Sequence, residues 1–168
     1  GFTIVESGGS TSVSESGTTD TFTVVLNAQP DSNVVLSVTS GDTGEATVST
    51  GTLTFTSGNW NTAQTVTVTG VDDNLVDGTI TSAITVSVVD AVTDDNFDAV
   101  ANQTVSAATT DNDTAGFTIA ETSGSTSVAE TGTTDTFTVV LNAQPAADVV
   151  LQFVSGDTGE ATVTSLLT

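Results

Sequence analysis

Nine of the 21 acidic residues in this 168-residue chain fall between Asp72 and Asp113: Asp72, Asp73, Asp77, Asp90, Asp94, Asp95, Asp98, Asp111 and Asp113. They stand at the ends of predicted strands, chiefly in loops. Two carboxylates 4 Å apart repel by about 1 kcal/mol in bulk water and by more at lower dielectric. The usual relief, a Lys or Arg beside them, is missing: the chain has no Lys, Arg or His and carries a formal charge of −21. An isolated acidic loop is ordinarily just a solvated loop. Acids remote in sequence that a fold brings together need a counter-charge. Calcium is the natural one, because it takes six to eight oxygen ligands from carboxylates, amides, backbone carbonyls and water.

The same absence excludes whole classes of function. Without a cationic side chain there is no salt bridge between side chains and no phosphate clamp. A nucleic-acid groove, which neutralises phosphates with Lys and Arg, is excluded too. The chain has no Cys, so disulfides, thiolate chemistry and Cys/His zinc sites are out. Lacking His, Cys and Lys, it also lacks most general bases and nucleophiles, and the expectation is that it is not an enzyme. No run approaches the ~18 apolar residues of a membrane span. The sequence opens at Gly1 without Met or a signal-peptide pattern, and reads as a piece of something larger.

The elements that must carry these acids are strands. Thr (37), Val (25) and Ile (4) make up 66 of the 168 residues, and Cβ-branched side chains suit a pleated strand better than a helix. Residues 1–53 realign on residues 116–168 at an offset of 115, with 37 of the 53 pairs identical. Asp20 to Pro30 returns unchanged as Asp135 to Pro145, and Ser40 to Val48 as Ser155 to Val163. The chain therefore reads as one complete repeat, 1–115, followed by the first half of another, 116–168, carrying strands A to D. Within the repeat the period is two: Phe22, Val24 and Leu26; Val34, Leu36 and Val38; Leu53 and Phe55; Val66 and Val68; Ile80, Ile84, Val86 and Val88; Val105, Ala107 and Thr109. With Phe2 and Ile4 this makes about seven strands in roughly 100 residues, the pattern of an all-β, immunoglobulin-like Greek-key sandwich in tandem.

Topology then sorts the acids. The loops after strands A, C and E and the end of strand G share one pole, the exit pole, where Glu15, Asp42, Glu45, Asp72, Asp73, Asp77, Asp111 and Asp113 are expected. Asp94, Asp95 and Asp98, in the F–G loop, are expected at the entry pole. In a head-to-tail array the two poles of successive modules abut, and Asp111-Asn112-Asp113 would stand at the junction.

The motifs in order, Val13-Ser14-Glu15-Ser16-Gly17, Gly51-Thr52-Leu53-Thr54-Phe55, Asp72-Asp73-Asn74-Leu75-Val76-Asp77-Gly78 and Asp111-Asn112-Asp113, resemble the Calx-beta motif across the whole 115-residue repeat and into the next. Asp77 stands where that family usually has Glu. The family's extended C–D loop is replaced by Ser40-Gly41-Asp42-Thr43-Gly44-Glu45. The resemblance implies an immunoglobulin-like module that binds Ca2+ at its exit pole and occurs in tandem in large bacterial surface proteins and adhesins. The metal-ligand set taken from residues and resemblance together is Glu15, Asp72, Asp73, Asp77, Asp111 and Asp113, with Asp94, Asp95 and Asp98 at the other pole.

Sharper motifs have plainer explanations. Asp42-Thr43-Gly44 and Asp157-Thr158-Gly159 spell the aspartic-protease triplet, but one loop duplicated with its repeat accounts for both. Asp111-x-Asp113 opens like an EF-hand loop, yet position twelve is Thr122 rather than Glu. Thr65-x-Thr67-x-Thr69 is the wet face of a strand, the sequons at Asn102 and Asn112 are incidental, and Trp60 is expected as a packing lid over a sandwich end. The functional expectation is a structural, calcium-stabilised spacer of an extracellular fibre, adhesin stalk or surface filament, secreted and bacterial. Neighbouring repeats or identical subunits would stand head to tail, each extending the fibre by about 35–45 Å from strands of roughly ten residues. The alternative is a calcium-dependent module whose loops bind a surface glycan or protein. Against it, the change from Asp31-Ser32-Asn33 to Ala146-Ala147-Asp148 adds no aromatic residue.

Overall fold

A computed structural model describes residues 1–164. Among them there is no α-helix, only strands and three single-turn 3-10 segments, and no helix is long and apolar enough to cross a membrane. The chain divides into two units: Gly1–Asp73 with Asp77–Asn112, and Asn74–Val76 with the described part of Asp113–Thr168. The first unit thus closes at Asn112, three residues before the boundary expected from the repeat.

The first unit holds nine strands: β1 (Phe2–Glu6), β2 (Thr11–Ser14), β3 (Thr19–Leu26), β4 (Val34–Ser40), β5 (Ala46–Val48), β6 (Thr52–Phe55), β7 (Gln64–Gly70), β8 (Ile80–Val88) and β9 (Gln103–Thr110). They form two sheets, in the orders β1-β3-β7-β5 and β2-β9-β8-β4-β6. This is the immunoglobulin-like arrangement, with the ABED strands on one sheet and the GFC strands on the other. Alternation decides which side chains enter the gap between the sheets. Phe22, Val24 and Leu26 of β3, Val34, Leu36 and Val38 of β4, and Val66 and Val68 of β7 are all buried. Their Thr neighbours in β3 and β7 pair across the outer face, Thr21 opposite Thr67 and Thr23 opposite Thr65. Each fully buried Val, Leu or Phe contributes about 1.5–3 kcal/mol relative to exposure, so this stripe is what makes the unit fold. Trp60 packs partly buried against the core, and its carbonyl accepts the Leu26 N–H at 3.2 Å.

Two strands go beyond the seven expected, β2 and β5. β1 and β2 are one strand split in two. Gly8 and Gly9 take φ of 66° and 85°, a left-handed conformation that costs Gly little. The chain crosses there from the edge of one sheet to a parallel pairing with β9. β5 is three residues paired with β7, too short to carry an alternation. It places β6 back on the opposite sheet, beside β4.

The second unit has two described strands, β10 (Phe117–Glu121) and β11 (Phe137–Leu141), paired in the register of β1 with β3. Four strands, A to D, were expected in residues 116–168; the counterparts of β2, β4 and β5 form no ladder. The reason is the partners. In the first unit β2 pairs with β9, β4 with β8 and β6, and β5 with β7, so these strands take their ladders from partners later in the chain. The counterpart of Leu53 is Thr168, outside the described residues.

Gly70, the last residue of β7, lies where the two sheets converge. A Cβ there would collide with the Ser14 carbonyl oxygen and carbon, backbone atoms that cannot rotate away. Gly70→Ala is therefore expected to destabilise the unit by about 3 kcal/mol, read as an earlier midpoint in urea followed by Trp60 fluorescence. A midpoint equal to wild type would contradict this packing.

Candidate metal centre

Four strand ends converge at one pole of the first unit, as the pairing requires. β2 runs parallel to β9, so both finish there, and Glu15 continues the ladder through its N–H to the Thr110 carbonyl at 3.1 Å. β5 runs antiparallel to β7 with Ala46 opposite Gly70, so β5 starts where β7 ends. Glu15 therefore follows β2, Glu45 precedes β5, Asp73 follows β7 and Asp111 follows β9. Carboxylate oxygens of Glu15, Glu45 and Asp73 lie within 4.8 Å of one another. Glu15 and Glu45 are 1% and 7% exposed, so two carboxylates and a half-buried third share a space that water barely reaches.

The two glutamates are held differently. Glu15 Oε2 accepts the Asn112 N–H at 3.0 Å. Glu45 is held by its backbone: its carbonyl accepts the Val71 N–H at 2.8 Å and the Thr109 hydroxyl at 3.2 Å. Its side-chain Oε2, buried, has no hydrogen-bond partner among the described residues. Burying a carboxylate oxygen without a donor costs several kcal/mol. The electrostatics point the same way. The Asn112 N–H lowers the Glu15 pKa, but burial and the charges of Asp111, Asp73 and Asp77 outweigh it and leave the group above its ordinary 4.5. Burial first, then Asp77, Asp73, Glu15 and Asp42, push the Glu45 carboxyl up as well.

The surrounding acids hold loops. Asp111 Oδ2 accepts the N–H groups of Asp77 and Gly78 at 3.0 and 2.9 Å. Gly78, with φ of 80°, makes the turn that lets both amides face it. The Asn112 side-chain amide donates to Asp72 Oδ1 at 2.9 Å. Asp42 Oδ1 accepts the Gly44 N–H at 3.0 Å, folding the loop that delivers Glu45. Asp72 and Asp77 are exposed, while Asp73 and Asp111 are half-buried. Asp113 belongs to the second unit.

At the opposite pole Asp94 is buried and also holds loops. Its Oδ2 accepts the N–H groups of Asp31 and Ser32 at 2.7 and 2.8 Å, and its Oδ1 accepts from the Asn96 backbone and side-chain amides at 3.0 and 2.9 Å. These donors, Ser32 and Asn96 foremost, hold its pKa below the ordinary 3.8. Asp95 and Asp98 are exposed, and partial loss of solvation at the Asp98 carboxyl, with the charges of Asp90 and Asp95, pushes its pKa up. Among the described residues, Asp94, Asp95 and Asp98 do not close to within 4.8 Å as a group.

Of the expected exit-pole residues, then, the fold brings Glu15 and Asp73 together and surrounds them with Asp72, Asp77 and Asp111. The residue that was not in the expected ligand set is Glu45. Its neighbour Asp42 drew attention as the loop acid, and only the three-residue β5 turns Glu45 inward.

No protein-family model matches this chain, and no curated protein sequence matches it. Solved structures of similar β architecture include SSP-19, an MSP-domain-like protein of Caenorhabditis elegans (17% identity, 61% of this chain and 92% of that one, TM-score 0.40). The E. coli chaperone DraB matches at 8% identity over 69% of this chain and 58% of its own, with TM-score 0.46. CBD12 from CALX1.2 matches at 17% identity over 71% and 48%, with TM-score 0.43. The sandwich rests on its own sheet order.

Two outcomes follow. Glu45→Gln removes a buried, unpartnered charge and is expected to raise the melting temperature in chelator, where wild type bears the repulsion. A lower melting temperature there would mean that the charge is already compensated within the chain. Asp94 stays ionised through neutral and mildly acidic pH, since its folded pKa is depressed; its contribution is present above the ordinary value and is lost as pH falls through the lower folded one. Asp94→Ala is expected to speed amide exchange at Asp31, Ser32 and Asn96 at pH 7 by about tenfold or more while leaving Asn112 unchanged. Unaltered exchange at those three amides would remove Asp94 from this role.

Proposed function

We propose that the first unit is a calcium-stabilised structural module, one spacer in a head-to-tail array of an extracellular fibre, adhesin stalk or surface filament. The observation that carries this reading is the buried Glu45 Oε2 without a donor, beside Glu15 and Asp73 in a chain with no cationic side chain. A buried carboxylate oxygen without a donor among the described residues, flanked by two further carboxylates, suits a hard divalent cation. Glu15, Glu45 and Asp73 would hold Ca2+, and the ion would supply the counter-charge that the residues lack. Asp111, Asn112 and the 72–78 loop keep the three carboxylates facing one another. Asp111 through the Asp77 and Gly78 amides, and Asn112 through Glu15 and Asp72, tie the ends of β2, β7 and β9 into one cap.

The reading as a spacer rather than an enzyme follows from the chemistry available, since carboxylates, hydroxyls and amides with no His, Cys or Lys beside them nominate no reaction. Its repeat supports an array, and its motif order resembles the Calx-beta pattern at the same pole. Secretion fits the affinity such a site needs: extracellular modules bind calcium in the range of about 10⁻⁴–10⁻³ M. Free calcium at 100 times the dissociation constant would stabilise a site by about 2.7 kcal/mol, a large part of the ~5–15 kcal/mol that keeps a domain folded.

Thermal unfolding with millimolar calcium and then with EDTA tests this reading. Wild type is expected to lose several degrees on chelation, and magnesium at the same concentration to restore little of the loss. An unchanged melting temperature in EDTA would overturn the calcium role.

A further inference from the structure

A chain with two near-identical first halves has a pairing problem. Residues 1–48 and 116–163 can compete for the same second half, residues 54–112, on any copy of the molecule, and such sequences are prone to strand exchange. Eleven positions differ between the two runs, by direct alignment. Ten of them, including Val5, Ser14, Ser37 and Thr39, are exposed or half-buried in the first unit. The eleventh is Val38, which is 2% exposed, and its counterpart is Phe153. The other buried apolar residues of the first run return unchanged, Phe2 as Phe117 and Leu36 as Leu151 among them.

Val38 lies in β4 opposite Val86 of β8, inside the closed core. A core packed to protein density does not take an aromatic ring in the space of an isopropyl group without strain. In the second unit the Phe153 ring instead meets Phe137, with centroids 5.8 Å apart and planes at 57°. That is a stable tilted aromatic pair, formed where the first unit has Phe22 and Val38. The second run is therefore shaped for a different second half from residues 54–112.

We propose that Phe153 is a specificity-determining residue: its bulk prevents residues 116–163 of one copy from replacing residues 1–48 on residues 54–112 of another. This rests on the tandem-module reading above. It explains why the single buried difference between the runs enlarges a side chain, while surface differences are free to accumulate. Beyond Val48 the runs diverge at each of the five remaining positions, so the discrimination must act within the shared stretch.

The experiment compares the full chain with its Phe153→Val variant. Both are heated and slowly cooled at high concentration, and the dimer fraction is read by size exclusion with light scattering. Phe153→Val is expected to raise that fraction about tenfold, in line with removal of an overpacking penalty, with Phe153→Leu in between. Equal dimer fractions in wild type and Phe153→Val would overturn the proposal, as would abundant exchange in wild type. Trp60 fluorescence confirms that the first unit is folded in each variant. Every comparison is made within one buffer, with calcium and again with EDTA. A chain whose melting ignores chelation but whose variant still dimerises would reject the calcium reading alone.

Discussion

The first unit gathers uncompensated negative charge at the meeting point of its strands, and that charge is the constraint its surrounding loops are built around. Two glutamates lie almost fully buried at that pole with a third carboxylate beside them. Among the described residues, Glu15 Oε2 accepts one backbone N–H and the buried Glu45 Oε2 has no hydrogen-bond partner. A hydrophobic sandwich of this size has no structural need for such a cluster, and each buried carboxylate works against folding until it is compensated. Proteins ordinarily place Lys or Arg there; this chain has neither.

The sheet topology makes the cluster unavoidable. The parallel pairing of β2 with β9 and the antiparallel pairing of β5 with β7 bring four strand ends to one pole. The register puts Glu15, Glu45, Asp73 and Asp111 one to three residues beyond the ladders. Asp111 and Asn112 then tie the surrounding loops, and at the far pole Asp94 does the same for the loops at Asp31 and Asn96. Carboxylates thus have two roles here. Asp94 and Asp111, with several amide donors, shape loops, whereas the buried Glu45 Oε2 has no hydrogen-bond partner among the described residues.

Much of this was legible in residues alone. Alternation in β3, β4, β7, β8 and β9 runs over five or more residues, and the buried faces of these strands follow it. β5 escaped because three residues are too few to show a period, and β2 because one of its two inward residues is Thr11 and the crossing at Gly8 and Gly9 is a backbone event. Glu45 escaped for the same reason: its inward direction is set by β5, while the nearby Asp42 spends its oxygen on the Gly44 amide. The second run shows the limit of local pattern. Val149, Leu151 and Phe153 keep the alternation of β4, yet make no ladder, because a strand's ladder belongs as much to its partners as to its own residues.

Calorimetric titration of the metal-free chain with calcium measures whether the Glu15–Glu45–Asp73 cluster takes up the ion. Saturable binding is expected in wild type, and its loss in Glu45→Gln while Asp94→Ala binds as before. No saturable binding in wild type, or an unchanged isotherm in Glu45→Gln, would contradict the central claim.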